Sequence, residues 1–218
     1  MGGAGPTASG RIAPMTATGT GTADSTDTAT ADRRRGFSVR RMTEADHPRV
    51  REIHQEGIDT GHATYEREAP DWENFMANRW MHLAFVAEDD RSGRVIGWTA
   101  ASRASHREVF SGVVEDSIYV AGDAAGRGVA GALLDTLLAA AAEKGCWVMH
   151  SSIFPENEGS LRLHRSRGFR EIGVAHVMSH MEYGPMAGRW RDIVLMEKVL
   201  EDGPAFAEYA ERVGTATS

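Results

Sequence analysis

Residues 114–142 read VEDSIYVAGDAAGRGVAGALLDTLLAAAA. A short alternating stretch ends in a Gly/Arg loop that opens directly into a helix, which is the arrangement of a phosphate cradle. Strand alternation over 113–120 puts Glu115, Ser117 and Tyr119 on one face and Asp116, Ile118 and Val120 on the other. Gly126 and Gly128 flank Arg127, and the helix starts at Val129, Ala130 and Gly131. Several unpaired N–H groups therefore point out of the loop, and glycine lets an anion approach the backbone closely. The helix dipole adds partial positive charge and Arg127 a full one. A Gly-x-Gly before a helix also serves simply to turn the chain, so the loop alone does not decide function. The helix over 128–144 carries Val129, Leu133 and Leu137 on one stripe, with Ala130, Leu134 and Leu138 beside it, which predicts a wide buried face.

Working toward the N-terminus, RVIGWTAASR (94–103) and HLAFVAEDD (82–90) read as two strands joined by the turn DDRSG. Asp71 can cap a short helix containing Trp72, Phe75 and Trp80, and 61–70 is a loop. A first helix reaches about Ile58, with Val50 and Ile53 turned inward and Thr43 and Asp46 as a capping box. FSVRR, from Phe37, is a strand. The segment 1–36 is Thr, Ala and Gly with scattered charge and no apolar centre, and reads as a disordered tail outside the domain.

Toward the C-terminus, 147–153 reads as a strand and 157–167 as a helix within ENEGSLRLHRSRGF. The chain is then β-rich as far as RWRDIVLMEKVL, and 201–218 reads as a frayed tail or loose helix. This order predicts an α/β domain over 37–200, a mixed and mostly antiparallel sheet flanked by helices.

The 218 residues, 41% hydrophobic and 25% charged, suffice for one domain with a real core. A formal charge of −7 argues against nucleic acid or anionic membranes as partners, so an anionic ligand would need a local pocket. Cys146 is the single cysteine, which excludes an internal disulfide and fits a cytoplasmic protein. It reads as a small buried hydrophobe. His176 and His180 are four apart in a segment that reads as a strand, where that spacing does not make a helical metal pair, so no metal is expected. No stretch approaches the length of a membrane span.

GRGVAGALL after a strand, followed by Asn157, His164 and the Gly168–Phe169 pair in one block, resembles the Gcn5-related N-acetyltransferase superfamily. ATYE (63–66), VEDSIYV (114–120), the 157–169 block and GRWRDIVLMEKVL bring the resemblance closer to its phosphinothricin N-acetyltransferase-like branch, over about 38–200. The superfamily loop usually opens with Gln or Arg where this chain has Ala125, which leaves diphosphate binding to the amides and Arg127.

The resemblance implies the acyl-CoA N-acyltransferase fold and acetyl-CoA as co-substrate, held by residues 126–131, by Ile118, Tyr119 and Val120 along the strand, and by Asn157. Asn157 would equally serve as a helix N-cap. It implies Glu115 as general base, since an amine arrives protonated and must lose a proton before or during attack. It places His164 beside the leaving thiolate or the substrate, with simple packing on the helix as the plainer reading. Tyr65, Arg107 and Phe110 align with substrate contacts, and Ser105 stands where herbicide-detoxifying members carry a second basic residue. Trp190 and Asp192 match a late-strand block read as structural or as a dimer contact.

The expected activity is acetylation of a small amino-acid-like amine of the phosphinothricin, methionine sulfone or methionine sulfoximine type, in a cytoplasmic, detoxifying homodimer. The alternatives are a protein N-terminal or polyamine acetyltransferase, and a non-catalytic acyl-CoA-binding regulatory module.

Overall fold

A computed structural model describes residues 36–216. The tail expected over 1–36 lies outside the described residues apart from Gly36. The order of elements is β1 (Phe37–Arg41), α1 (His47–Asp59), α2 (Trp72–Asn78), β2 (Ala84–Asp89), β3 (Val95–Arg103), β4 (Val113–Val120), α3 (Val129–Glu143), β5 (Val148–Ile153), α4 (Glu158–Ser166), β6 (Arg170–His180), β7 (Trp190–Val199) and α5 (Phe206–Ala216). The strands form one seven-stranded sheet in the order β1-β2-β3-β4-β5-β7-β6. Every pairing is antiparallel except β4 with β5. This is the mixed, mostly antiparallel α/β architecture that the sequence pattern predicts.

Local chemistry sets most boundaries. Thr43 and Asp46 form the expected capping box, but they close a single 3-10 turn over Glu44–Asp46, and α1 follows from His47 with Pro48 in its first turn. Arg40 holds Asp46 through two 2.8 Å hydrogen bonds, tying the cap to the sheet. Asp71 caps α2 by accepting from the Asn74 N–H at 2.9 Å. The strand expected from His82 begins two residues later, because Met81–Leu83 turn as a 3-10 helix into the sheet. Of the two readings of the segment after Glu201, a frayed tail or a loose helix, the described residues show the helix, α5.

The two sheet faces are distinguished at adjacent residues of β3. Trp98 is fully buried and meets His54 of α1, Phe75 of α2 and Tyr119 of β4 at ring-centroid distances of 5.1, 5.4 and 4.7 Å. Gly97, on the opposite face, lies against Val129 and Leu133 of α3. Thus α1 and α2 cover one face and α3 the other. Leu133, Leu134 and Leu137 are fully buried, and Cys146 joins the same core as a packed thiol.

Candidate active site

The site arises where two strands part. β4 pairs with β3 from Val114 to Val120, but with β5 only from Val113 to Glu115, against Val148 to His150. Beyond Glu115 no strand among the described residues covers that edge of β4. The Ala121 N–H donates to Ile96 of β3 at 2.9 Å. Because successive N–H groups of a strand point to opposite edges, those of Ile118 and Val120 face the gap.

A cavity of about 390 Å³ opens there, lined by Thr64, Tyr65, Glu66, Arg79, Glu115, Ser151, Phe154 and His164 among others. A groove of about 880 Å³ joins it, sharing Ala63, Ile118, Tyr119, Asn157 and Ser160 as walls, and runs to Gly126, Gly128 and the first turn of α3. Gly128 is the N-cap of α3 at φ +82°, and Gly126 lies at φ +77°. Only glycine takes these conformations without strain, and they aim the amides of residues 128–131 into the groove.

The predicted cofactor residues are therefore together, with one exception. Val120, Gly126, Gly128, Val129, Ala130, Gly131 and Asn157 all line the groove. The Arg127 side chain instead donates to Asp89 Oδ2 at 2.7 Å and to the Gly36 carbonyl at 3.3 Å. Asp89 closes the β2–β3 turn with a carboxylate that needs a counter-charge, and Arg127 supplies it. The basic residues that do line the groove, Arg162 and Arg167 on and beside α4, carry no local signal in the sequence. Asn157 both caps α4, accepting from the Ser160 N–H at 3.1 Å, and donates to the His62 carbonyl at 3.2 Å.

Glu115 is half-buried and lines the cavity from the α1/α2 face, as strand alternation predicts. Asp116, on the opposite face, meets His164. Their side chains are 2% and 1% exposed, with Nε2 to Oδ2 at 3.1 Å. The other ring nitrogen, Nδ1, donates to the Ser160 carbonyl at 2.8 Å, and Ser151 Oγ lies 3.2 Å from Nε2. Burial works to strip His164 of its charge, but the Asp116 carboxylate outweighs it and holds the imidazole pKa above its usual value. With a carbonyl on one nitrogen and a carboxylate on the other, both nitrogens carry protons. The sequence reading named His164 but not this partner.

The sequence reading gave no role to Glu66, Arg79 or Arg191. Glu66 Oε2 lies 2.8 Å from His54 Nε2, close enough to pair charges but off the line of a hydrogen bond. Burial pushes the Glu66 carboxyl up, yet His54 and the charge of Arg79 bring it below its ordinary value. Arg191, 2% exposed beneath Phe154, donates to the Gly61 carbonyl at 2.8 Å and to Glu156 at 3.1 Å, which fixes the loop leading to Tyr65. The Tyr65 ring stands edge-on to Phe154 at 4.9 Å.

Arg107 and Phe110 are exposed on the β3–β4 connection, with the guanidinium 5.7 Å above the ring, and neither lines the cavity of this chain. Trp190 is 64% exposed, whereas Asp192 accepts from His176 and from the Val177 N–H, both at 2.8 Å, at an irregularity of β6. Among the described residues no cluster of three His, Cys, Asp or Glu is placed to hold a metal, and no helix is long and apolar enough to cross a membrane.

The family model described as Acetyltransferase (GNAT) family matches residues 47–169. The chain is 34% identical over 173 residues to a phosphinothricin N-acetyltransferase of Alcaligenes faecalis, covering 76% of this chain and 84% of the relative. It is 29% identical over 168 residues to an L-methionine sulfoximine/L-methionine sulfone acetyltransferase of Pseudomonas paraeruginosa, covering 75% and 95%. Among solved structures, a GNAT superfamily phosphinothricin acetyltransferase of Sinorhizobium meliloti in complex with AcCoA superposes with a TM-score of 0.67 at 33% identity, covering 78% and 91%.

Proposed function

The chain belongs to the acetyltransferase (GNAT) family, in its phosphinothricin N-acetyltransferase-like branch, and from that premise we propose that it acetylates the amine of a small amino-acid-like substrate with Glu115 as general base. The observation that carries this reading is the position of Glu115 in the cavity wall, at the point where β4 and β5 part and three residues from the outward-facing Ile118 N–H.

The groove fits acetyl-CoA. Left-handed glycines free the amides at the start of α3 for a diphosphate, and the uncovered edge of β4 offers Ile118 and Val120 to a pantetheine arm. Bound acetyl-CoA supplies an acyl group already activated as a thioester. The Ile118 N–H faces the position in which a carbonyl oxygen would be polarised. Glu115 takes the proton that the amine must shed. Three residues of strand span about 10 Å, so a water bridges Glu115 to the amine. His164 holds a proton at Nε2 against Asp116. Ser160, whose Oγ lies 3.3 Å from Nδ1 and which lines both cavities, would relay that charge to a thiolate leaving at their junction.

Glu115→Gln keeps shape and hydrogen bonding while removing the basic group. The expected result is loss of CoA-thiol release at neutral pH with acetyl-CoA binding retained. Undiminished turnover would reject the assignment. A panel of phosphinothricin, methionine sulfone, methionine sulfoximine, polyamines and short peptides identifies the acceptor. A homodimer built on the edge strand β6 is supported by the exposed Ile172, Val174, Val177 and Met178 and by the neighbouring Trp190. A lone buried Cys146 is in keeping with a reducing cytoplasm.

A further inference from the structure

We propose that Arg79 is the anion anchor of the acceptor cavity, binding the carboxylate of an α-amino acid whose amine faces Glu115. This deepens the acetyl-transfer reading and rests on it. Arg79 follows the last residue of α2 with extended backbone, and the next residue, Trp80, donates its N–H to the Ala101 carbonyl of β3 at 2.8 Å. Ala101 is opposite Asp116, and its neighbour Ser102 is opposite Glu115. The arginine is thereby tied to the sheet at the register of the proposed base.

Its guanidinium lies over the rings of Phe75 and Trp98, at 5.0 and 5.8 Å from their centroids, which places it on the face that carries Glu115 and Tyr119. There it lines the cavity, and its buried Nε has no hydrogen-bond partner. Among the described residues no carboxylate comes within ion-pair distance of it. Glu66, whose charge it influences, sits on His54 instead. The other cations near the cavity are committed, Arg191 to Gly61 and Glu156, and His164 to Asp116.

A weakly hydrated planar guanidinium on an aromatic floor, with unmet donors, matches a carboxylate. The acids Glu66 and Glu115 on the same wall match an ammonium. A zwitterion satisfies both. A polyamine offers no anion, and a protein N-terminus has its α-carboxyl locked in a peptide bond, so neither would use Arg79.

The test compares methionine sulfone with its decarboxylated amine counterpart as acceptors for the wild type, Arg79→Gln and Arg79→Lys. Calorimetric titration of methionine sulfone into the CoA-saturated proteins runs alongside. Loss of a charge-assisted contact predicts a fall of ~10–100-fold in kcat/KM for methionine sulfone, carried by KM, in Arg79→Gln. The same variant should stay within about twofold on the decarboxylated amine. Lysine should restore part of the loss, and the calorimetric affinity should fall with KM.

An equal loss on both acceptors, or none on either, would overturn the anchor. Wild-type turnover of the amine but not of the amino acid would overturn it while leaving acetyl transfer standing. If no amine of the acceptor panel elicited CoA release from the wild type, acetyl transfer itself would fall. Calorimetry would then still decide the anchor, by whether Arg79→Gln weakens binding of methionine sulfone or leaves it unchanged, with undetectable binding to the wild type counting against it.

Discussion

Replacing Asp116 by Asn probes the most deeply buried charge pair of the site. The two side chains are 2% and 1% exposed and lie 3.1 Å apart, so water barely screens them. Removing one partner of such a pair costs ~3–5 kcal/mol when the survivor keeps its charge. Asn preserves the shape and one hydrogen bond, and His164 can escape by releasing its proton, so the loss should be ~2–3 kcal/mol. In a chain of this size each kcal/mol moves Tm by ~2–4 °C, which predicts a drop of ~4–12 °C near pH 6.

The pH dependence identifies the cause. The folded-state pKa of His164 is raised above its ordinary value of 6.5, through Asp116 and against burial. The contribution is therefore complete below about pH 6.5 and is lost as pH rises through the folded value. Denaturant titrations of both proteins from about pH 6 to pH 9 should show the stability gap closing upward, and imidazole NMR should show His164 titrating lower in the variant. A gap constant over that range, or a neutral His164 in the wild type at about pH 6, would refute the ionised pair.

Two other outcomes follow from the groove and the core. Arg127→Ala should change acetyl-CoA affinity by less than about fivefold in equilibrium binding, because its guanidinium belongs to Asp89 in a partly exposed pair; a larger loss would mean that the side chain swings onto the ligand. Gly97→Val should destabilise by ~1–3 kcal/mol in chemical denaturation, since a Cβ there would meet Val129 Cγ1 at 2.9 Å, the Tyr119 carbonyl oxygen at 3.1 Å and Leu133 Cδ1 at 3.2 Å.

What could be read from the sequence is what depends on near neighbours along the chain. The GRG turn into α3, the Thr43–Asp46 and Asp71 caps and the buried stripe of α3 are each set by φ preference, side-chain reach or helical period. The division of Glu115 from Asp116 between two faces is likewise a consequence of strand geometry alone. That division does not by itself select Glu115, since Asp116 on the other face lines the cavity too, and it was the family resemblance that singled Glu115 out.

Tertiary structure decided which of these groups meet. His164 and Asp116 are 48 residues apart, and Arg127 and Asp89 are 38 apart. Arg79 lies in the unremarkable run ANRW, and only the docking of α2 beneath β3 brings it to the cavity. Arg107, which the family resemblance aligned with a substrate contact, does not line that cavity. Backbone conformation responds to adjacent residues, whereas a charged side chain takes the partner that packing delivers. For His164 that partner is Asp116, one residue past the point where β4 and β5 separate, which no short stretch of residues specifies.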